Sequence, residues 1–412
     1  MATIKASPPS YTLIRKLGTG TTSKVYLASP SAQPTHLVAI KTIKKQRLHS
    51  RLNQSRLLHE IALLKQLCND HVVQLIDFQW DSLFVYLVFE YCDMHTLSEY
   101  ISNHQAHRLP EHISKRFLRQ IVAGMKFLFD HHIIHRDLKS HNIFMKKNQY
   151  NVPILKIGDF GIADSQLTTH YDETLQDTSL EPHGSERVLR DRIGTLLYMA
   201  PEVLCDTSYD NRCDIWSIGV MFYEMLVGHT PFAAYAQSTT TLMKCILNIP
   251  TDALSPRVGI TLSAETRQIL QELLQPLPNN RITFERLFNH EYIDLAHLPC
   301  ELSFQKGTEL IQKARIYDEQ MQKMSPNTTA DNAERALKKT IDVYEEGASH
   351  LLASVEFRGV YNAKEVQGTI IECLNRIEAL KEAKESLSKS KHLEQGWGFG
   401  SWFKGWSGTD VI

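Results

Sequence analysis

The residue types most suggestive of chemistry fall in five places between Gly18 and Gly161. The run Gly18-Thr19-Gly20-Thr21-Thr22-Ser23-Lys24-Val25 is built of small residues that let a backbone turn approach phosphate oxygens, with Val25 as an apolar cap for a base. Alone, it also reads as an ordinary tight turn. Further on, Val38-Ala39-Ile40-Lys41 is strand-like and ends in a cation able to hold phosphates. Between Lys41 and Asp70 the only acidic residue is Glu60, in a helical run with Leu57, Ile61 and Leu64, so Glu60 is the natural ion-pair partner of Lys41. The alternative makes both of them solvated surface charges. The densest cluster is His135-Arg136-Asp137-Leu138-Lys139-Ser140-His141-Asn142, followed by Asp159-Phe160-Gly161. Phosphoryl transfer asks for a carboxylate that orients the attacking hydroxyl and for oxygen ligands to Mg²⁺ between the phosphates. Asp137 suits the first task, and Asn142 and Asp159 suit the second.

Taken in order, these motifs resemble the protein kinases: Gly-rich loop, strand Lys, helix Glu, H-R-D-L-x-x-x-N, D-F-G and Ala200-Pro201-Glu202. Asp214-Ile215-Trp216-Ser217-Ile218-Gly219 looks like the buried central helix of the large lobe, and Arg281 like the partner of Glu202. The resemblance implies ATP and Mg²⁺ as cofactors, with Asp137 and Lys139 catalytic and Asn142 and Asp159 on the metal. It implies ATP contacts from Leu17, Gly18, Thr19, Gly20, Thr21, Thr22, Ser23, Lys24, Val25, Lys41, Glu60, Glu90 and Cys92. Lys139, two residues after Asp137, marks the serine/threonine branch, where Thr195 would join the cluster around Asp137. Protein Ser/Thr hydroxyls are then the phosphate acceptors.

The sequence also departs from that pattern. Ser23 replaces the third glycine of the loop, which leaves Gly18 and Gly20 to approach phosphates. Glu90-Tyr91-Cys92 resembles the hinge that meets adenine through its backbone, behind Phe89, whereas Thr96 stands where many kinases carry an acid for the ribose. Thr96 and His141 carry no negative charge, so no preference for an arginine three residues before the acceptor is expected. The apolar Leu196-Leu197-Tyr198 suggests a hydrophobic residue after the acceptor instead. The stretch from Asp159 to Glu202 is long and rich in Ser, Thr and Tyr, and Arg136 is placed to clamp a phosphorylated residue in it. The string His131-His132 with His135 lacks further ligands at metal spacing and implies no zinc.

These residues need elements to position them. From Tyr11 to Ile293 strand-like runs such as Leu37 to Ile43 alternate with helical ones such as Ser114 to Phe129, which suits one large α+β domain of two lobes. Beyond it, apolar residues recur at three and four. They are Leu310, Ala314 and Tyr317; Leu337, Ile341, Tyr344, Ala348, Leu351 and Val355; and Val366, Ile370, Cys373, Ile377 and Leu380. Three such stripes predict a three-helix bundle. Val343 to Ala348 and Cys373 to Lys381 resemble the MIT module, whose relatives bind tails of ESCRT-III subunits. Kinase plus MIT resembles the ULK group of autophagy-initiating kinases, and Phe288 to Leu295 with the hinge resembles its MIT-bearing branch. The expected layout is a bilobal protein kinase fold at 11–293, an MIT-like three-helix bundle at 302–388 and a flexible Gly/Trp-rich tail at 389–412. Rival readings are a pseudokinase scaffold or a trafficking adaptor.

Composition bounds the rest. At about 100 to 200 residues per domain, 412 residues predict two or three domains. Lys plus Arg (45) nearly balances Asp plus Glu (46), which argues against a nucleic-acid binder. The seven scattered cysteines read as reduced thiols, and with no signal-like start or long apolar run the chain is expected in the cytoplasm. Trp397, Trp402 and Trp406, interleaved with Phe399 and Phe403, suit peripheral membrane contact or a partner groove.

Overall fold

The computed structural model describes residues 8, 10–19, 23–47, 57, 61, 62, 64–159, 164, 165, 196–205, 209–235, 239–247, 260–324, 328–359 and 364–391. Gly20, Thr21, Thr22, Glu60, Phe160, Gly161, Thr195, the stretch 166–195 and the Trp-rich end 392–412 lie outside them. The chain divides into two compact units, residues 1–148 with 153–295 and residues 149–152 with 296–412.

The first unit begins with a five-stranded antiparallel sheet, β1 (Tyr11–Thr19), β2 (Ser23–Pro30), β3 (Val38–Lys44), β4 (Leu75–Trp80) and β5 (Phe84–Glu90), in the order β1-β2-β3-β5-β4. Period-two alternation sorts its side chains. Val38 and Ile40 pack with Ala28, Tyr86 and Val88 on one face, while Val85 and Leu87 join the main core on the other. Lys41, between Ile40 and Thr42, therefore shares the face of Leu87, its cross-strand partner on β5, and pairs with Val25 on β2. The register of β1 and β2 shifts at Leu17, between the pairs Lys16↔Tyr26 and Gly18↔Val25.

A helical lobe follows. It holds α1 (Leu97–Asn103), α2 (Glu111–Asp130), β6 (Ile133–Ile134), β7 (Ile143–Lys147), β8 (Pro153–Ile157) and β9 (Asp164–Ser165). It continues with α3 (Pro201–Leu204), α4 (Arg212–Val227), α5 (Thr239–Leu247), α6 (Ala264–Leu273) and α7 (Phe284–Phe288). The axis of its core is α4, buried at every position from Cys213 to Val227. Gly219 is required there, because a Cβ would meet Leu273 and Leu274 at 2.8–2.9 Å. Arg281 reaches the Glu202 carboxylate with both guanidinium nitrogens, at 2.7 and 3.1 Å, as the motif reading expected. The pair is buried, so losing either partner strands a charge at a cost of about 3–5 kcal/mol. Arg119 on α2 donates to the Ile293 and Asp294 carbonyls at 2.8 and 2.9 Å, which fastens the end of this unit.

The second unit contains α8 (Ser303–Gln322), α9 (Ala330–Arg358) and α10 (Lys364–Lys391) around one apolar core. The stripes expected on α9 and α10 are the buried ones, apart from the half-buried Val355. On α8 the buried face is Gly307, Ile311, Ala314, Asp318 and Met321, and Leu310 and Tyr317 lie at its margin. Asp318 hid this register. It looks polar, yet it is buried because Arg376 of α10 donates to both of its oxygens, at 2.6 and 2.7 Å.

The α8–α9 contact is closed by glycines, with Gly307 against Leu351 and Gly347 against Ile311. A Cβ on Gly307 would lie 2.9 Å from the Leu351 backbone nitrogen, which a rotamer change does not relieve. Gly307→Ala is expected to destabilise the bundle by about 1–3 kcal/mol, against about 1 kcal/mol gained in helix propensity. Urea unfolding followed by circular dichroism checks this, and a raised midpoint would refute it.

Candidate active site

The catalytic loop is fixed from below. Asp214, in the first turn of α4, accepts the backbone N–H groups of His135 at 2.8 Å and Arg136 at 2.9 Å. Burial pushes its carboxyl up, while His135, these two N–H groups and Arg136 pull the other way. Arg136 adopts φ 66°, a left-handed conformation costly for a side chain of its size, and the Asp214 bond holds it there. The His135 ring bridges onward: Nε2 lies 3.1 Å from the Gly158 carbonyl and Nδ1 accepts the Asp137 N–H at 3.3 Å.

Asp137 is held from two sides. Lys139 Nζ lies 2.9 Å from both carboxylate oxygens. Asn142 Nδ2 donates to the Asp137 carbonyl at 2.8 Å and to Oδ2 at 3.0 Å. Both partners are acceptors only, so the Asn142 amide must turn its NH₂ to them, and its Oδ1 is left to coordinate a cation. Asn142 precedes β7 and Asp159 follows β8, so the β7–β8 hairpin carries the two expected metal ligands at its ends, joined by Gly158 N–H to the Asn142 carbonyl at 2.9 Å. An amide oxygen and a carboxylate are hard donors that fit Mg²⁺.

Lys41 donates to Asp159 Oδ1 at 2.8 Å. Burial works to raise the Asp159 carboxyl, but Lys41, then His135 and Lys139, outweigh it and hold it below the usual carboxylate range. Asp159 has φ 61°. The glycine before it is sterically required, since a Cβ on Gly158 would meet Val73 at 2.9 Å and the Phe144 ring at 3.0 Å. At the end of β1, a Cβ on Gly18 would meet nothing within 4 Å among the described residues.

The Glu90 side chain has its own partners. The Glu90 carboxylate pairs with Lys156 at 2.8 Å and Lys146 at 2.9 Å and accepts the Gln74 N–H at 3.0 Å. Cys92 is buried beside it, and burial followed by the Glu90 charge pushes its thiol up to about 12. Thr96, at the ribose position, is the N-cap of α1 and accepts the Glu99 N–H at 3.3 Å. Ser98 and His141 are hydrogen-bonded at 3.3 Å.

Sequence reasoning missed one cluster. Tyr198, read as part of an apolar docking surface, is instead buried, and its hydroxyl donates to Glu224 Oε2 at 2.7 Å. Ser140 donates to Glu224 Oε1 at 3.2 Å and lies 3.0 Å from the Tyr198 hydroxyl. The one available sign was an acidic residue, Glu224, inside the most apolar run of the chain. Burial pushes its carboxyl up to about 6, against the pull of the two hydroxyls.

An antiparallel sheet over a helical lobe, with Asp137, Lys139, Asn142, Asp159 and Lys41 gathered at the seam, defines a bilobal kinase catalytic domain. Comparison with family models agrees: the protein kinase domain matches residues 11–293, and the chain belongs to that family. Among curated proteins, serine/threonine-protein kinase ULK3 of Xenopus laevis is 37% identical over 311 residues, 75% of this chain and 61% of the relative. The ULK3 of Homo sapiens is 36% identical over 313 residues, 75% of this chain and 60% of the relative. Serine/threonine-protein kinase ATG1c of Arabidopsis thaliana is 35% identical over 283 residues, 69% and 35% of the two chains. The chain thus spans about three fifths of the length of the ULK3 relatives.

Glu224 generates a pH prediction. Its carboxyl ordinarily titrates at 4.5 and here at about 6, so between those values the folded state binds more protons than the unfolded state. Stability conferred by this group is present below pH 4.5 and is lost as pH rises through 6, by about 2 kcal/mol. Glu224→Gln should flatten that fall. Urea midpoints of variant and wild type measured from pH 4.5 to 7.5 check it, and a difference that does not change with pH would refute it.

Proposed function

We propose that the chain is an ATP-dependent serine/threonine protein kinase, transferring the γ-phosphate of ATP to Ser and Thr hydroxyls of protein substrates. The observation that carries this reading is the double clamp on Asp137 by Lys139 and Asn142, beside Asp159 paired to Lys41. Asp137 orients the acceptor hydroxyl and takes its proton as the oxygen–phosphorus bond forms and ADP departs. Lys139 sets the carboxylate's direction and offers its charge to the transferring phosphate. Asn142 and Asp159 supply oxygen ligands to Mg²⁺, which when bound draws the phosphate oxygens together and offsets their charge. Lys41, of which Glu60 is the proposed second partner, holds phosphate and Asp159 in one place. The backbone of Glu90 to Cys92 meets the adenine, and the residues Leu17 to Val25 cover the phosphates. The similarity to the ULK3 and ATG1c kinases supports the same acceptor class.

Radiolabelled phosphate transfer by the purified chain to a peptide library tests this. Asp137→Asn and Asp159→Ala are each expected to lower kcat by about 10³-fold with the fold intact, since they remove charge placement rather than core. The acceptors should be Ser and Thr, without selection for arginine three residues upstream, because Thr96 and His141, both hydrogen-bonded to α1, carry no negative charge. Wild-type turnover by Asp159→Ala would overturn the reading.

The bundle is proposed as an MIT-like targeting module for C-terminal tails of ESCRT-III subunits, recruiting the kinase to endosomal or autophagic membranes. Support comes from an apolar strip that the core does not use. Lys381 of α10 pairs with Glu345 of α9 at 2.7 Å. Two turns away on each antiparallel helix, this register sets Leu352 opposite Leu374. Leu352, Ile371 and Leu374 are 50%, 58% and 46% exposed. On the other flank, Glu372 and Arg376 are engaged with Arg315 and Asp318 of α8. Ile371→Asp with Leu374→Asp is expected to abolish micromolar binding of such peptides while helicity is kept, as titration by fluorescence anisotropy would measure. Unchanged affinity would remove the strip from the interface.

A further inference from the structure

Residues 148–152 join β7 to β8, and a hairpin loop of this kind ordinarily runs over the surface. Here it is part of a core. The second unit consists of residues 296–412 together with residues 149–152. Val152 is 8% exposed, and a Cβ on Gly359, just past the end of α9, would lie 3.2 Å from its side chain. The Tyr150 ring meets the Phe357 ring edge-on at 5.8 Å. The Arg358 guanidinium lies over the Tyr150 ring at 5.9 Å and over the Phe304 ring of α8 at 4.4 Å. Gln149 donates to the Glu301 carboxylate at 2.7 Å. The start of α8 and the end of α9 thus form a seat for this turn.

The two arms of the hairpin are held by different elements. β8 is fixed to α2: the Pro153 carbonyl accepts from Arg116 at 3.2 Å, and Gln120 accepts the Leu155 N–H at 2.8 Å. β7 is fixed to the segment 90–95, which carries the hinge. Lys146 pairs with Glu90 at 2.9 Å, and the Lys147 N–H donates to the Asp93 carboxylate at 2.9 Å. Met145 accepts the Met94 N–H at 3.0 Å and donates its own N–H to the His95 carbonyl at 2.9 Å. His95 has φ 64°, a conformation that a residue other than glycine keeps only where its surroundings hold it.

We propose that the bundle anchors the turn 149–152 and, through β7, sets the hinge segment 90–95, so that affinity for ATP depends on the second unit. This rests on the reading of the Glu90 to Cys92 backbone as the adenine contact. Only Asn148 separates Lys147 from the seated turn. Since α2 pins β8, a displacement of the turn falls on the β7 bonds to Asp93, Met94 and His95. Tyr150 is in this sense a positioning residue, acting on the nucleotide through β7.

The test uses the full chain with Tyr150→Ala, Tyr150→Phe, Phe357→Ala and the combination of Tyr150→Ala with Phe357→Ala. Affinity for ATP with Mg²⁺ is read by calorimetric titration, hydrogen exchange of residues 90–95 and 143–147 by mass spectrometry, and folded fraction by thermal unfolding. Tyr150→Ala is expected to weaken ATP binding about three- to tenfold and to speed exchange in both segments. Tyr150→Phe keeps the ring and should behave as wild type. The double variant should match the weaker single variant within about twofold, because both substitutions remove one contact. Wild-type ATP affinity in Tyr150→Ala, equal losses in Tyr150→Phe, losses that multiply in the double variant, or losses that only follow folded fraction would each overturn the anchor while the kinase reading stands. A wild-type chain that binds no ATP would overturn both.

Discussion

A buried carboxylate organises the site. Taking the Asp214 charge out of water is unfavourable, and the chain offsets this by aiming two backbone N–H groups at it. Those N–H groups belong to residues 135 and 136, so the same bonds impose the left-handed turn at Arg136 from which Asp137 projects. The His135 ring then carries the constraint to the Gly158 carbonyl, one residue before Asp159. The Asp137 carboxylate and the aspartate paired to Lys41 are thereby referred to one helix, α4, buried at every position from Cys213 to Val227.

Much of this was legible in the sequence because the chemistry is local. Asp137, Lys139 and Asn142 sit within six positions, and a turn that short has few ways to bring three polar side chains together. Glu202 and Arg281 were paired correctly across the chain because only a motif match, not periodicity, could connect them. Three features were illegible for physical reasons. Glu90 was placed near a nucleotide by its backbone, but nothing in a linear string says that Lys146 and Lys156 converge on its carboxylate. Tyr198 among leucines looks apolar, and its hydroxyl acquires meaning only once α4 brings Glu224 beneath it. The face of α8 was read one position off because a salt-bridged aspartate occupies a core position and interrupts the apolar period.

The two units use buried charge in different ways. In the bundle, Asp318 and Arg376 lock α8 to α10 with two parallel hydrogen bonds, which fixes helix register beside a largely apolar core. In the catalytic unit, the Glu90 ion pairs tie the end of β5 to β7 and β8, and so join the sheet to the helical lobe at the hinge. Burial works to raise the Glu90 carboxyl, yet the two lysines and the Gln74 N–H hold it below the usual range. A rotation of one lobe on the other must stretch these bonds.

The hinge cysteine acquires a pharmacological character from the same surroundings. Electrophilic probes react with thiolate rather than thiol. With its pKa pushed up to about 12 by burial and by the neighbouring glutamate, Cys92 is almost wholly protonated at neutral pH. Burial, followed by the carboxylate that braces the hinge, thus passivates this sulfur toward electrophiles.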